Sequence, residues 1–162
     1  MVLTPKVQLL RSRGVRRQSE SEECAKWAIE MLESGRDSEN LRILASLSPP
    51  FDYWEVERYL SLALDELRIP NIAESAALSA YVAEELRCML EGRTPQCDTL
   101  ATLKQLFVND EYPRALHPFY LLYFALQEIS AGEETYHWPG ATAENIHRII
   151  EDAARNFLAA RP

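Results

Sequence analysis

Seven segments of this chain repeat apolar side chains at i, i+3, i+4 and i+7, and each carries its own start and stop residues. That period belongs to an α-helix with one face turned inward. No segment has the alternation that a strand requires. Cys24, Trp27, Ala28, Met31 and Leu32 form the first stripe, with Ser19 and Glu22 as a capping box before it and Gly35 after it. Ser38 opens a second helix through Leu41, Leu44 and Ala45, and Pro49-Pro50 stops it because proline lacks the N–H the helix needs. Asp52 and Glu55 cap a third, with Val56, Tyr59, Leu60, Ala63, Leu64 and Leu67 inward and Pro70 at its end. Asn71 opens an alanine-rich fourth helix that Gly92 closes, and Thr94-Pro95 opens a fifth with Leu100, Leu103, Leu106 and Phe107. The sixth begins near His117-Pro118 and is apolar nearly all round from Phe119 to Leu126, which predicts a central position. Thr142 opens the last, with Ile146, Ile149, Ile150, Ala153, Phe157 and Leu158 inward.

The seven starts are unevenly spaced, which excludes a solenoid of regular helical repeats. The expectation is an all-α, irregular single-domain bundle of about seven helices, built from helical hairpins over residues 19–162. With 162 residues, 47% of them hydrophobic, the chain can furnish such a core.

Charge is distributed unevenly. Residues 1–17 carry Lys6, Arg11, Arg13, Arg16 and Arg17 and no acid, which leaves 12 basic and 25 acidic side chains in the rest, a net of -13. Residues 1–18, with a short apolar patch from Val7 to Leu10, read as a flexible basic N-terminal arm. The acidic body repels phosphate backbones, so nucleic-acid binding by it is not expected. No apolar run approaches the ~18 residues of a membrane span. Three cysteines without a CxxC pair argue for thiols in a reducing cytoplasm rather than a disulfide framework, with Cys24 and Cys88 as packing residues. There is no GxSxG, no GxGxxG and no GxxxxGK[ST], so the common nucleophile-elbow and nucleotide sites are absent, and no cofactor is expected.

Two features could carry a function. The first is a pair of aromatic clusters beside acids: Phe51, Tyr53 and Trp54 with Glu55 and Glu57, and Tyr136 and Trp138 with Glu133 and Glu134. Aromatic anchors ringed by charge have the composition of protein-binding surfaces. Their leading reading is a non-enzymatic domain that binds a basic protein, in its most concrete form a cytoplasmic immunity or inhibitor protein against a toxin. The second is a pair of Glu-x-x-His segments, Glu134 with His137 and Glu144 with His147. On a helix this spacing puts carboxylate and imidazole on one face, so a metal-binding bundle is the alternative. A homo-oligomeric scaffold subunit joined through the aromatic loops is a further one. The sequence predicts a helix-dominated far-UV circular dichroism spectrum, which a sheet of three or more strands would contradict. It also predicts that limited trypsin cuts first between Arg11 and Arg17.

Overall fold

The computed structural model describes residues 3–110 and 113–160. Glu111, half of the acidic pair Asp110-Glu111, and the extreme ends of the chain lie outside them. Among the described residues the protein is all-helical, with eight α-helices and no strand. They are α1 (Leu3–Arg13), α2 (Gln18–Glu33), α3 (Glu39–Ser46), α4 (Tyr53–Glu66), α5 (Glu74–Leu90), α6 (Gln96–Asn109), α7 (His117–Ser130) and α8 (Ile146–Ala159), with a 3-10 turn at Arg114–Leu116 before α7. Contacts between Cα atoms group these into two units, Met1–Tyr81 and Val82–Pro162, with the division inside α5.

In the N-terminal unit α2, α3 and α4 pack pairwise, and α1 lies against both α2 and α4. The stripe read from the sequence is the core: Cys24, Trp27, Ala28 and Met31 of α2 meet Leu41 and Leu44 of α3 and Val56, Leu60, Ala63 and Leu64 of α4. Ser38 Oγ accepts from Leu41 N at 3.3 Å, and Asp52 Oδ1 accepts from Trp54 N at 2.9 Å and Glu55 N at 3.3 Å, so both caps form. At the start of α2 the cap differs from the expected Ser19–Glu22 pair. Glu20 reaches back instead, its Oε2 accepting from Arg16 N and Arg17 N. Gly35 ends α2 at φ +83°, while Arg36 N donates to Met31 O, which closes a Schellman turn.

The flexible arm expected over residues 1–18 is corrected here. Most of it is α1, and the boundary expected at residues 18 and 19 falls inside one unit. Val7 is fully buried and Leu10 is 4% exposed, both in the same core cluster as Trp27. Pro5 does not prevent the helix, because it sits in the first turn, where an N–H has no intrahelical partner. Three of the five basic residues that suggested an arm are spent on the acids beneath it: Lys6 pairs with Glu23 at 2.5 Å, Arg11 with Asp65 at 2.6 Å and Arg13 with Glu74 at 3.4 Å. Partly exposed pairs such as these contribute up to ~1 kcal/mol each. Burying a Val or Leu side chain contributes about 1.5–3 kcal/mol. Apolar burial therefore holds α1, and the ion pairs set its register.

Gly14 then turns the chain at φ +84°, and a Cβ there would meet Glu57 Oε1 at 2.9 Å. Glu57 is held because the same oxygen accepts from Val15 N at 2.7 Å. Glycine is required at this position by backbone conformation and by space alike.

In the C-terminal unit α7 packs against α6 and α8. The central position expected for α7 is only half realised. Phe119, Leu122, Ala125 and Leu126 are buried, while Tyr120, Leu121, Tyr123 and Phe124 are half-exposed. The outer rings are served locally: Tyr120 lies 4.8 Å from Phe107 and 5.0 Å from Phe124, and Lys104 Nζ sits 4.9 Å over Tyr123. The last helix starts at Ile146 rather than Thr142, because residues 142–145 form a turn in which Asn145 Oδ1 accepts from Thr142 N at 2.7 Å.

Leu10→Ala should lower unfolding free energy by about 2–5 kcal/mol in urea titration. Deleting residues 1–13 should cost more than that single truncation. A deletion that left the urea midpoint unchanged would show that α1 is dispensable to the core. Trypsin should accordingly spare Arg11 and Arg13 and cut the linker at Arg16 or Arg17.

Candidate functional site

The first aromatic cluster sits at the start of α4, and its members have different fates. Phe51 is buried, with its backbone clamped at both atoms by Gln18: Nε2 donates to Phe51 O at 3.0 Å and Oε1 accepts from Phe51 N at 2.8 Å. Tyr53 is half-buried against the core. Glu57 holds Val15 N, so its carboxylate is occupied by the chain itself. Trp54 points outward and is 83% exposed, with Glu55 and Asp52 exposed beside it. Its backbone is rigid nonetheless, because Asp52 caps the helix at Trp54 N.

Sequence inspection misses the continuation of this surface. Arg58 and Leu62, four and eight residues after Trp54, are also exposed, so α4 carries an outward stripe of Trp54, Arg58 and Leu62 opposite its buried face. Arg58 leans on Tyr59, its guanidinium carbon 5.7 Å from the ring centre. The i, i+4, i+8 spacing was available in the sequence, and Leu62 already fell outside the inward stripe read there, but a lone leucine off the core face carries no signal of a surface.

The second cluster lies in the loop between α7 and α8. Tyr136 is 86% exposed, Glu133 and Glu134 are exposed, and Trp138 is half-buried. One residue outside the sequence reading organises this loop. Glu128 on α7 accepts from Tyr136 N at 3.0 Å and His137 N at 3.3 Å through Oε2, and pairs with His137 Nδ1 at 2.5 Å through Oε1. The His137 ring stacks on Phe124 at 5.0 Å and 27°. Partial burial works to raise the Glu128 pKa, but the His137 ring and the two backbone N–H groups outweigh it and hold the carboxyl below its ordinary 4.5. A carboxylate that accepts all three bonds anchors the loop, and with Oε1 as acceptor the hydrogen belongs on Nδ1 of His137.

The four candidate metal ligands do not converge. His137 is taken by Glu128, and His147 Nδ1 pairs with Gln96 Oε1 at 2.7 Å. Glu144 is bonded by Thr142, which lowers its pKa, and Glu134 is an exposed loop residue. Glu134 and His137 share no helical face because residues 134–140 are not helical, and Glu144 precedes α8. Among the described residues no group of three or more His, Cys, Asp or Glu is placed to hold a metal ion.

Cys24 is pushed up to about 12, first by burial and then by the nearby Glu23 and Glu20 carboxylates. Burial also raises Cys88. Both are packing thiols rather than nucleophiles. No helix among the described residues is long and apolar enough to cross a membrane. No family model matches the chain, and neither a curated protein nor a solved structure does.

The lowered Glu128 pKa gives a testable pH dependence. A depressed carboxyl contributes stability above its ordinary 4.5, and that contribution is lost as pH falls through the lowered value. Hydrogen exchange at the Tyr136 and His137 amides should be slow at neutral pH and rise, relative to intrinsic rates, on acidification below 4.5. Glu128→Ala should show the fast rates already at pH 7. Equal protection in that variant would mean that the loop is held by something other than Glu128.

Proposed function

We propose that this protein is a non-enzymatic protein-binding domain whose contact surface is the outward stripe of α4, with Trp54 as its anchor. The observation that carries the reading is the 83% exposure of Trp54 on a capped, rigid helix start. An indole in water forgoes a large burial energy, and tryptophan is enriched among the residues that dominate binding energy. Rigid presentation lowers the entropy that docking must overcome. Leu62 extends the apolar strip, and Asp52 and Glu55 supply an acidic edge that favours a partner bearing Lys or Arg.

An immunity or inhibitor protein set against a basic toxin is the concrete form of this reading. Its electrostatic support is smaller than the acidic body suggests. The unit that carries Trp54 holds 13 acidic and 10 basic side chains, a net of -3, once α1 is counted. The anchor, more than the field, recommends the surface.

Trp54→Ala removes an exposed side chain, so unfolding free energy should stay within about 0.5 kcal/mol of wild type. Binding to the native partner, captured by the wild-type protein from its host and then titrated pure, should weaken by about 2 kcal/mol or more, roughly 30-fold. Glu55→Lys should mainly slow association and flatten its salt dependence. A partner bound equally by Trp54→Ala and wild type would place the interface elsewhere.

A further inference from the structure

We propose that the C-terminal unit binds a small organic cation, an amine or quaternary ammonium with an aromatic or branched aliphatic body, in the cleft between the start of α7, Trp138 and α8. The inference is independent of the Trp54 surface, because it rests on other residues in the other unit.

The cleft encloses about 420 Å³, within the roughly 300–1,000 Å³ of small-molecule sites. Its walls are apolar: Pro118 and Phe119 from α7, Ile149 and Phe157 from α8, and Trp138 from the loop. Phe119 and Phe157 meet edge to face, with centroids 5.9 Å apart and planes at 73°, so the floor is braced against collapse. Apart from the Trp138 indole, the polar side chains of the lining are Asp152 and Asn156, one turn apart on α8 and both exposed.

The one carboxylate in the lining, Asp152, is bonded through a single oxygen among the described residues, Oδ1 to Arg155. One guanidinium, Arg155, divides itself between Glu151 at 2.8 Å and Asp152 at 3.3 Å. Arg148 lies one turn before Asp152 on the same helix, so what the lining offers a cation is the singly bonded Asp152 carboxylate rather than a net negative field. An ammonium group at Asp152 completes the pairing while its organic body displaces water from Phe157, Ile149 and Trp138. The Trp138 indole lines the same cleft and gives the organic body of the ligand an aromatic surface to pack on. Asn156 can take a second polar group of the same ligand, as donor or acceptor.

The test uses the whole chain and three probes of one size: phenethylamine, 2-phenylethanol and phenylacetate. The readouts are the NMR signals of the Ile149 methyl groups and the Trp138 indole N–H. Phenethylamine should shift both saturably and bind about tenfold more tightly than the alcohol, with phenylacetate weaker still. Asp152→Asn, an exposed change, should abolish the amine's advantage and leave the alcohol's affinity unchanged. Ala153→Leu should fill the cleft and remove binding of every probe. If that variant fails to fold, Asp152→Asn decides alone. Absence of any saturable shift at millimolar probe, equal affinity for all three, or an amine preference that survives Asp152→Asn would each overturn the proposal.

Discussion

Trp27 is completely buried, and its indole N–H has to find an acceptor away from water. It donates to Thr4 Oγ1 at 3.0 Å, and Thr4 lies on α1. A buried donor left unmet costs about 1–3 kcal/mol, more than a typical surface ion pair returns. The central side chain of α2 therefore requires α1 to be helical and docked, and much else in the N-terminal unit follows. Val7 and Leu10 close the core over Cys24 and Trp27. The chain then reverses at Gly14, and Glu57 is drawn in to hold Val15.

Docking α1 also reassigns the charges. Lys6, Arg11 and Arg13 neutralise acids on α2, on α4 and at the start of α5, so the first basic surface that the acidic helices meet belongs to the same chain. An interface built on electrostatic attraction alone loses part of its field by this arrangement. What remains outward on α4 is an aromatic and aliphatic strip with a mixed rim, a composition that favours short-range packing over long-range steering.

The two acidic-aromatic segments illustrate what local sequence can and cannot convey. At residues 51–57 the Asp52 cap was legible, though the Glu55 half of the expected box does not form, and the cap fixes which way each side chain leaves the helix: Phe51 and Val56 inward, Trp54 and Glu55 outward. Glu57 was not legible as a structural acceptor, because its partner lies 42 residues away. At residues 133–138 the Glu-x-x-His spacing was real but Gly132 and Pro139-Gly140 already marked the segment as a loop, and there His137 found Glu128 instead of Glu134. A motif counted in residues has meaning only on the backbone period it assumes. Glu128 itself gave no signal, since one carboxylate on an otherwise apolar helix reads as solvent-facing.

The sequence by itself determined the helical class, the Ser38 and Asp52 caps, the Gly35 stop and the inward stripes of α2, α4 and α6, because each depends on residues within a turn or two of one another. Only the tertiary structure decided that residues 3–13 form a docked helix with Val7, Leu9 and Leu10 in the core rather than an arm, that α7 leaves three of its four Phe and Tyr rings half-exposed, and that the Glu-x-x-His residues part company. Those outcomes turn on which distant groups can satisfy a buried indole, a backbone N–H or an imidazole. The folded path brings such partners within 3 Å, and separation along the chain does not encode them.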